Sequence, residues 1–472
     1  MSERDRYYKF VKTHPHPHLT FFSRPHFTRR RFFEIVGSGV LGSYLAGRAD
    51  ATQIKTQPGT VTQSTAKNCI FILLTGAISH TDSFDLKVVN GTTPSNFAPT
   101  TVNGISWPGG LFPNLGQQLP NMTLVRSMHS HALVHTLAQT WSQIGRNPAA
   151  ALGNIAPNIG SVVAIEKDGE RLPGQVFPTF LALNSPSGVG QGYFPATYAP
   201  FRLTEPVGAA GSGVPNTTNP FGQTRLETML SRLHQIDDNL RINSPYSTQM
   251  QDYDEFYTAA KGLTYNPVVS QAFSFTAADS ARYGSSAFGN ACLVAKQVLA
   301  ANEATRFIQV SFGSWDMHVD IYGAQNPNGN NMYTMGKQLD NGVSALLADL
   351  QSSGLLQNTL VVMVGEFGRT VGKVTPALGR DHWLQQTAVF AGGGVKGGRT
   401  IGQTDSMGAD TVDFGWSRGR YVYPEDIEAT IYSAMGIDWT TVRYDDPFGR
   451  GFEYVPFSDQ NLYGPVTELW GS

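Results

Sequence analysis

The hydrophobic residues of this chain gather into short continuous runs that are separated by polar, glycine-rich turns. The run Cys69–Leu74 is apolar throughout and is followed by Gly76, which is typical of a strand buried on both faces of a parallel sheet. Similar runs follow at Met122–Val125, Phe307–Ser311, Thr359–Val364 and Ala388–Ala391. This pattern predicts five strands of a mostly parallel central sheet.

Helical spacing appears between the third and fourth of these runs. One apolar stripe is formed there by Leu339, Val343, Leu346, Leu347 and Leu350. Gly354 follows the stripe as a helix stop, so strand, helix and strand succeed one another as in a βαβ unit. A second helix is predicted at Pro424–Met435, with proline at its start and Gly436 just past its end. The fold class is therefore α/β, with helices flanking the sheet.

Changes in composition predict how the chain is organised. They divide it into a signal region (1–51), a linker rich in Thr, Gln and Ser (52–67), a main domain (68–462) and a C-terminal tail (463–472). Within the main domain, residues 185–270 are rich in Gly, Pro, Asn and Thr and then become helical around 225–240 and 251–263. This segment is predicted to be an inserted loop-rich and helical cap over the sheet.

The N-terminal region has the features of an export signal. Arg29, Arg30 and Arg31 precede a weakly apolar stretch, Ile35–Ala46, which is too short to span a bilayer. Ala49-Asp50-Ala51 then gives the small-x-small pattern of a cleavage site. The segment resembles a twin-arginine signal, which predicts transient binding to the twin-arginine translocase, a periplasmic or extracellular mature protein, and no stable membrane span.

Charge and cysteine content exclude several classes of function. The formal net charge of −2 over 472 residues provides no field that would attract nucleic acid. The two cysteines, Cys69 and Cys292, cannot form a disulfide framework and are predicted to be thiols of the core. Two cysteines without a haem or cluster motif also argue against a redox centre.

Several residues that can bind a metal ion lie close together in the turns that follow the predicted strands. They include His80, Asp82, Asp85, His129, His131, His135, Asp316, His318, Asp320, Glu366, Asp381 and His382. Because ligands bind beyond the carboxyl ends of parallel strands, and because such clustering is costly without an ion, this predicts a metal or oxyanion site. Imidazole with carboxylate suits Zn²⁺, Mn²⁺ or iron, whereas mainly oxygen ligands would suit Mg²⁺ or Ca²⁺. Arg369 and Arg380 could hold an anionic group or could pair with a nearby aspartate.

An ordered set of motifs resembles a known family. The segments are 70–87, Tyr283-Gly284 ahead of a helix at Cys292–Val298, the turn Gly313–His318, Gly365–Thr370, Gly379–Trp383 and Gly392–Gly398. Together they resemble the sulfatase-like domain-of-unknown-function family 1501, which is distantly related to alkaline phosphatases and sulfatases. The resemblance implies an alkaline-phosphatase-like fold over about residues 68–460.

The resemblance also implies roles for individual residues, with departures from the superfamily pattern. Asp316 and His318 match a ligand pair, His382 matches the last histidine, and Glu366 stands where an Asp-His-Gly turn is expected. The usual paired aspartates after the first strand are replaced by Leu74-Thr75-Gly76, so Asp82 or Asp85 would have to reach back into the site. The nucleophile position holds His135, and the chain has no Cys-x-Pro-x-Arg sulfatase motif.

The expected function is that of an exported metal-dependent hydrolase or transferase acting on a small phosphate or sulfate ester. His135, Arg369 and Arg380 are the candidate catalytic residues. The candidate metal ligands are Asp82, Asp85, Asp316, His318, Glu366, Asp381 and His382, with Zn, Mn, Mg or Ca as the divalent ion. Attack would come from His135 or from a hydroxide on the metal. The alternative is a non-catalytic periplasmic binding or surface-associated protein with the same fold, which the missing nucleophile favours.

Overall fold

A computed structural model describes residues 54–185, 187–203, 221–241, 261–323 and 329–471. The signal region expected at 1–51 and most of the helix expected at 251–263 lie outside the described residues. The described residues form two compact units, one with residues 54–55 and 442–452 and the other with the described residues of 56–441 and 453–471. In the smaller unit, Ile54–Lys55 pairs antiparallel with Val442–Arg443.

The larger unit contains a central sheet, which has eight strands in the described part of the chain. They are β1 (Asn68–Leu74), β2 (Met122–His129), β3 (Phe180–Leu183), β4 (Phe201–Leu203), β5 (Phe307–Ser311), β6 (Thr359–Gly365), β7 (Gln385–Gly392) and β8 (Arg399–Ile401). Their spatial order is β8-β2-β7-β6-β1-β5-β3-β4. Only β7 among them runs antiparallel to its neighbours, β2 and β6, so the predicted mostly parallel α/β sheet is confirmed.

The apolar runs of the sequence form the centre of this sheet. All seven residues of β1 are buried, and β1 pairs in parallel with β5 on one side and with β6 on the other. A strand covered on both faces needs apolar side chains at every position, which is the pattern that the sequence shows. The five predicted strands are all present.

Helices surround the sheet. In the described residues they are α1 (Pro113–Gly116), α2 (His135–Ile144), α3 (Ile159–Lys167), α4 (Gln223–Arg241), α5 (Pro267–Phe273), α6 (Ala277–Arg282), α7 (Ala287–Ala301), α8 (Met332–Ser352) and α9 (Pro424–Ala434). Helix α8 buries the predicted leucine stripe and packs against α7. Asn331 caps α8, because its side chain accepts hydrogen bonds from the amides of Tyr333 and Thr334. None of the described helices combines the length and apolarity needed to cross a membrane.

Three short hairpins lie outside the central sheet. They pair Pro99–Val102 with Ile105–Pro108, Gly368–Arg369 with His382–Trp383, and Gln403–Thr404 with Thr411–Asp413. The second hairpin aligns Arg369 with His382 and so brings two distant motifs together.

Cys69 in β1 and Cys292 in α7 are both buried free thiols, as predicted. Burial raises the pKa of both thiols, so they remain protonated and unreactive at neutral pH.

Candidate metal centre

Three histidines and one aspartate converge beyond the ends of the central strands. His135, Asp316, His318 and His382, called here the His/Asp cluster, each offer one ligand atom, and these atoms lie within 4.8 Å of one another. His135 is the first residue of α2, Asp316 and His318 follow β5, and His382 lies in the second hairpin. Three segments that are distant in the sequence therefore meet at one edge of the sheet.

An oxygen atom lies against the Nδ1 atom of every histidine in the cluster. His135 Nδ1 contacts Glu366 Oε1, His318 Nδ1 lies 2.8 Å from Asp381 Oδ1, and His382 Nδ1 lies 2.7 Å from the Leu133 carbonyl oxygen. Since these oxygens accept hydrogen bonds, each Nδ1 atom acts as the donor and each neutral ring keeps a lone pair on Nε2.

The three Nε2 atoms surround a single carboxylate oxygen. They lie 3.2 Å (His135), 2.9 Å (His318) and 3.8 Å (His382) from Oδ1 of Asp316. The Nε2 atoms of His318 and His382 are only 3.1 Å apart. Lone pairs and a negative charge held this close repel one another. The Arg369 guanidinium, whose Nη1 lies 3.4 Å from His318 Nε2 and whose Nη2 donates to Asp316, offsets part of this repulsion, and a metal cation among the four groups would remove the rest.

Glu366 lies behind His135, and its side chain is completely buried. The carboxylate accepts hydrogen bonds from the Gly76 amide at 3.0 and 3.2 Å, from Gln139 Nε2 at 3.2 Å, and from His135 Nδ1. The hydrogen bond to Glu366 raises the pKa of His135, and burial of the ring opposes this shift. Glu366 thus fixes the orientation of His135 and lies outside the cluster.

Arg369 holds Asp316. Its side chain is 1% exposed, and its Nη2 atom donates to Asp316 Oδ1 at 2.6 Å and to the Gly76 carbonyl oxygen. Nε donates to the Ala77 carbonyl oxygen at 2.9 Å, and Nη1 to that of Arg380 at 3.1 Å. Partial burial acts to raise the pKa of Asp316, but the hydrogen bond and charge of Arg369 outweigh it and lower that pKa. Burial lowers the pKa of Arg369 itself.

The remaining predicted site residues have other partners. Asp82 and Arg380 form a buried ion pair at 2.6 Å, and the Tyr322 hydroxyl donates to Asp82 at 2.6 Å. Burial acts to lower the pKa of Arg380, but Asp82 outweighs it and raises that pKa. Asp85 pairs with Lys87 at 3.1 Å and with Arg126 at 3.2 Å and accepts a hydrogen bond from Thr404. Asp82, Asp85 and Arg380 therefore lie outside the His/Asp cluster.

Two further histidines of these turns also lie elsewhere. His131 is stacked between Trp141 and Tyr423, and its Nε2 lies 3.1 Å from Glu425. The His129 ring lies against that of Tyr421, with the ring centroids 4.4 Å apart and the planes tilted by 30°. Both rings thus contact aromatic side chains, and His131 also contacts the Glu425 carboxylate, so neither histidine belongs to the His/Asp cluster.

The supporting residues Gln139, Leu133 and Gly76 were not identified from the sequence. Gln139 lies one helical turn after His135, a spacing that places both on one face of α2 and could have pointed to it. Leu133 acts through its carbonyl oxygen, which carries no sequence signal. Gly76 has a φ of +93°, and a Cβ atom there would lie 2.6 Å from the amide nitrogens of Trp315 and Asp316. Only glycine permits that close approach.

Comparison with known proteins identifies a family and several solved structures of low sequence identity. A search of curated proteins found no significant match. Among solved structures, similar chains include the lipoteichoic acid synthase LtaP from Listeria monocytogenes, with 12% identity, a TM-score of 0.36, and coverage of 81% of this chain and 76% of that chain. The PsFucS1 sulfatase from Pseudoalteromonas sp. has 13% identity and a TM-score of 0.38, with coverage of 86% and 72%.

A third similar structure is the phosphonate monoester hydrolase of Agrobacterium radiobacter. It has 11% identity and a TM-score of 0.34, with coverage of 78% of this chain and 73% of that chain. Residues 66–462 match a family model whose description is "Protein of unknown function (DUF1501)". Because this match covers most of the chain, the protein belongs to the DUF1501 family.

Proposed function

We propose that this protein is a metal-dependent hydrolase or transferase of the alkaline phosphatase superfamily, acting on a phosphate or sulfate ester at the His/Asp cluster. The observation that carries the proposal is the convergence of three Nε2 lone pairs on the Asp316 carboxylate. A charged, lone-pair-rich group of this kind, open to solvent through Asp316 and His318, is suited to an ion that substrate can reach.

The donor set narrows the choice of ion. Three imidazole nitrogens and one carboxylate oxygen suit Zn²⁺ or Mn²⁺ better than Mg²⁺ or Ca²⁺, which prefer oxygen ligands. Bound there, the ion would supply Lewis acidity toward an ester oxygen and would activate water.

The neighbouring residues would keep the four ligands in place. Glu366 orients His135, Asp381 orients His318, and Arg369 holds the Asp316 carboxylate. In this proposal His135 is a ligand and not the attacking nucleophile, because its Nδ1 is bonded to Glu366 and its Nε2 points at Asp316. Carboxylate partners of this kind fix the ring orientation of ligating histidines in metal sites.

Metal analysis tests the proposal. The purified mature protein should contain about one Zn²⁺ or Mn²⁺ per chain, and Asp316→Ala should lose it, because the central carboxylate is gone. Asp459→Ala, which changes an exposed aspartate elsewhere, is the matched control and should keep the metal. A wild-type metal content below about 0.1 per chain, together with no cleavage of aryl phosphate or sulfate esters, contradicts the proposal. Bound metal without any ester cleavage would favour the non-catalytic binding protein.

Export is part of the same proposal and is supported by the arginines and the cleavage pattern of residues 29–51. Twin-arginine export carries folded proteins, so the ion would be loaded before translocation. Replacing Arg29 and Arg30 by lysine should retain the protein in the cytoplasm, as cell fractionation would show. Unchanged export of this variant would argue against the twin-arginine route.

A further inference from the structure

Both arginines that could have held an anionic substrate are fully engaged by the protein. Each of the three guanidinium nitrogens of Arg369 donates to a protein acceptor, as described above. Arg380 donates through Nε and Nη2 to Asp82, through Nη2 to the Tyr322 hydroxyl at 3.1 Å, and through Nη1 to the carbonyl oxygens of Thr370 and Gly372. Neither residue is free to neutralise a substrate charge.

Exposed apolar side chains neighbour the residues of the His/Asp cluster along the chain. Leu133, Val134, Val319, Leu378 and Trp383, called here the apolar rim, are between 38% and 60% exposed. Val134 precedes His135, Val319 follows His318, and Trp383 follows His382, so every cluster histidine has an exposed apolar neighbour in the chain. Exposed apolar groups gathered around a polar site are typical of a ligand-binding surface.

Backbone contacts hold the rim against the cluster. The Leu133 carbonyl oxygen accepts a hydrogen bond from His382, and Val319 forms an antiparallel bridge with Leu378. Leu378 is 55% exposed and has a φ of +62°, a left-handed conformation that is unfavourable for a leucine. A large apolar side chain kept in solvent at that cost indicates that the position has a functional role.

We propose that the substrate of the His/Asp cluster carries a single negative charge and an apolar alkyl or aryl substituent, which the apolar rim binds. This inference rests on the proposed function, because the charged end of the substrate must meet the ion. A second negative charge would lie next to the Asp316 carboxylate without a free guanidinium to balance it. The rim instead offers apolar surface, and its burial by an alkyl chain favours binding.

Titration calorimetry with the Mn²⁺-loaded protein tests the inference. The probes are dimethylphosphinate and methyl(octyl)phosphinate, two monoanions that have no ester bond to cleave. Methyl(octyl)phosphinate should bind at least about 10-fold more tightly, because its chain removes apolar surface from water. It should also bind at least as tightly as octylphosphonate at pH 8.5, where that probe carries two charges.

Variants locate the effect. Val134→Ser and Leu378→Ser should each reduce the preference for the octyl chain, measured as the ratio of the two phosphinate affinities, by roughly 3-fold or more. Leu172→Ser, at an exposed leucine outside the rim, is the matched control and should keep the wild-type preference.

Several results would overturn the inference. These are equal affinity for the two phosphinates, an equal loss of preference in Leu172→Ser, and tighter binding of octylphosphonate. Persistence of the chain-length preference in Asp316→Ala would show that alkyl binding is independent of the cluster. Tight binding to phosphatidylcholine vesicles without binding of the soluble probe would assign the rim to a membrane surface. Failure of the wild-type protein to bind either Zn²⁺ or Mn²⁺, together with no ester cleavage, refutes the proposed function, whereas bound Mn²⁺ without a chain-length preference refutes only the present inference.

Discussion

The three histidines of the His/Asp cluster differ in the acceptor of the hydrogen bond that each Nδ1 atom donates. The acceptor determines how firmly each ring is held in its orientation. His382 donates a hydrogen bond to a backbone carbonyl oxygen, and His318 donates one to Asp381, whose side chain is 62% exposed. His135 is bonded to Glu366, which is completely buried and tied to the Gly76 amide and to Gln139. His135 is therefore the most firmly oriented of the three, and Glu366 is the residue whose loss affects it most.

Glu366→Gln should weaken Zn²⁺ or Mn²⁺ binding by roughly 10- to 100-fold, because an amide can present its NH₂ group to Nδ1 and so reverse the ring's tautomer. Competition with a chelator of known affinity measures the dissociation constant. Glu425→Gln is the matched control, since Glu425 also pairs with a histidine, His131, but outside the cluster. Equal losses in the two variants would indicate general loosening of the fold and would contradict the specific role of Glu366.

At the scale of elements, the site depends on how closely two turns approach each other. The turn after β1 passes so near the turn after β5 that a Cβ atom at Gly76 would clash with the backbone of Trp315 and Asp316. The Gly76 amide also donates a hydrogen bond to Glu366, which follows β6. This contact sets the position of Asp316 relative to His135.

Gly76→Ala should lower the free energy of unfolding by about 3 kcal/mol or more and should also weaken metal binding, because the added Cβ atom displaces Asp316. Gly59→Ala is the matched control: its φ of +86° imposes a similar backbone penalty, but nothing lies within 4 Å of the new Cβ atom. Urea denaturation should show a loss of roughly 1–2 kcal/mol for that control, with unchanged metal affinity. Equal effects of the two substitutions would show that the positive φ alone causes the loss of stability, without a contribution from the contact with Trp315 and Asp316.

The same elements show what the sequence could reveal. The five predicted strands are apolar runs, whereas β4 has only three residues and β8 begins with Arg399, so neither shows a recognisable apolar run. The four apolar residues of β3 equal the predicted runs Met122–Val125 and Ala388–Ala391 in length, and this strand was missed. The turns that contain the site could be placed because they follow strands. The sequence could not show which side chain in a turn faces the cluster, because Asp82 and Asp316 both follow strands but have different arginine partners.

For the whole molecule, one buried carboxyl group couples stability to pH. Glu428 in α9 is 1% exposed, accepts a hydrogen bond from the Tyr432 hydroxyl at 2.8 Å, and has no partner for Oε2 among the described residues. Burial raises the pKa of Glu428 to about 8, although Arg146 and the Tyr432 hydrogen bond act in the opposite direction. The folded protein therefore keeps a proton that the unfolded chain, with an ordinary glutamate pKa, has already released.

This difference determines the sign of the pH dependence. Between the ordinary glutamate pKa and about 8, the folded state binds more protons than the unfolded state, so the free energy of unfolding falls as pH rises. The stability associated with Glu428 is fully present below the ordinary pKa and is lost as pH passes through about 8. Each unit of pKa difference corresponds to about 1.4 kcal/mol, so the total fall is of the order of a few kcal/mol.

Glu428→Gln should remove this contribution, because glutamine stays neutral at every pH in the window. Urea denaturation at pH 5.5, 7 and 8.5 should show that the free energy of unfolding depends less on pH in the variant than in the wild type. The variant should exceed the wild type in stability by the largest amount at pH 8.5. Glu227→Gln makes the same chemical change on the exposed face of α4 and should retain the wild-type slope. Parallel slopes for the wild type and Glu428→Gln would show that the buried carboxyl group does not govern the loss of stability in alkaline solution.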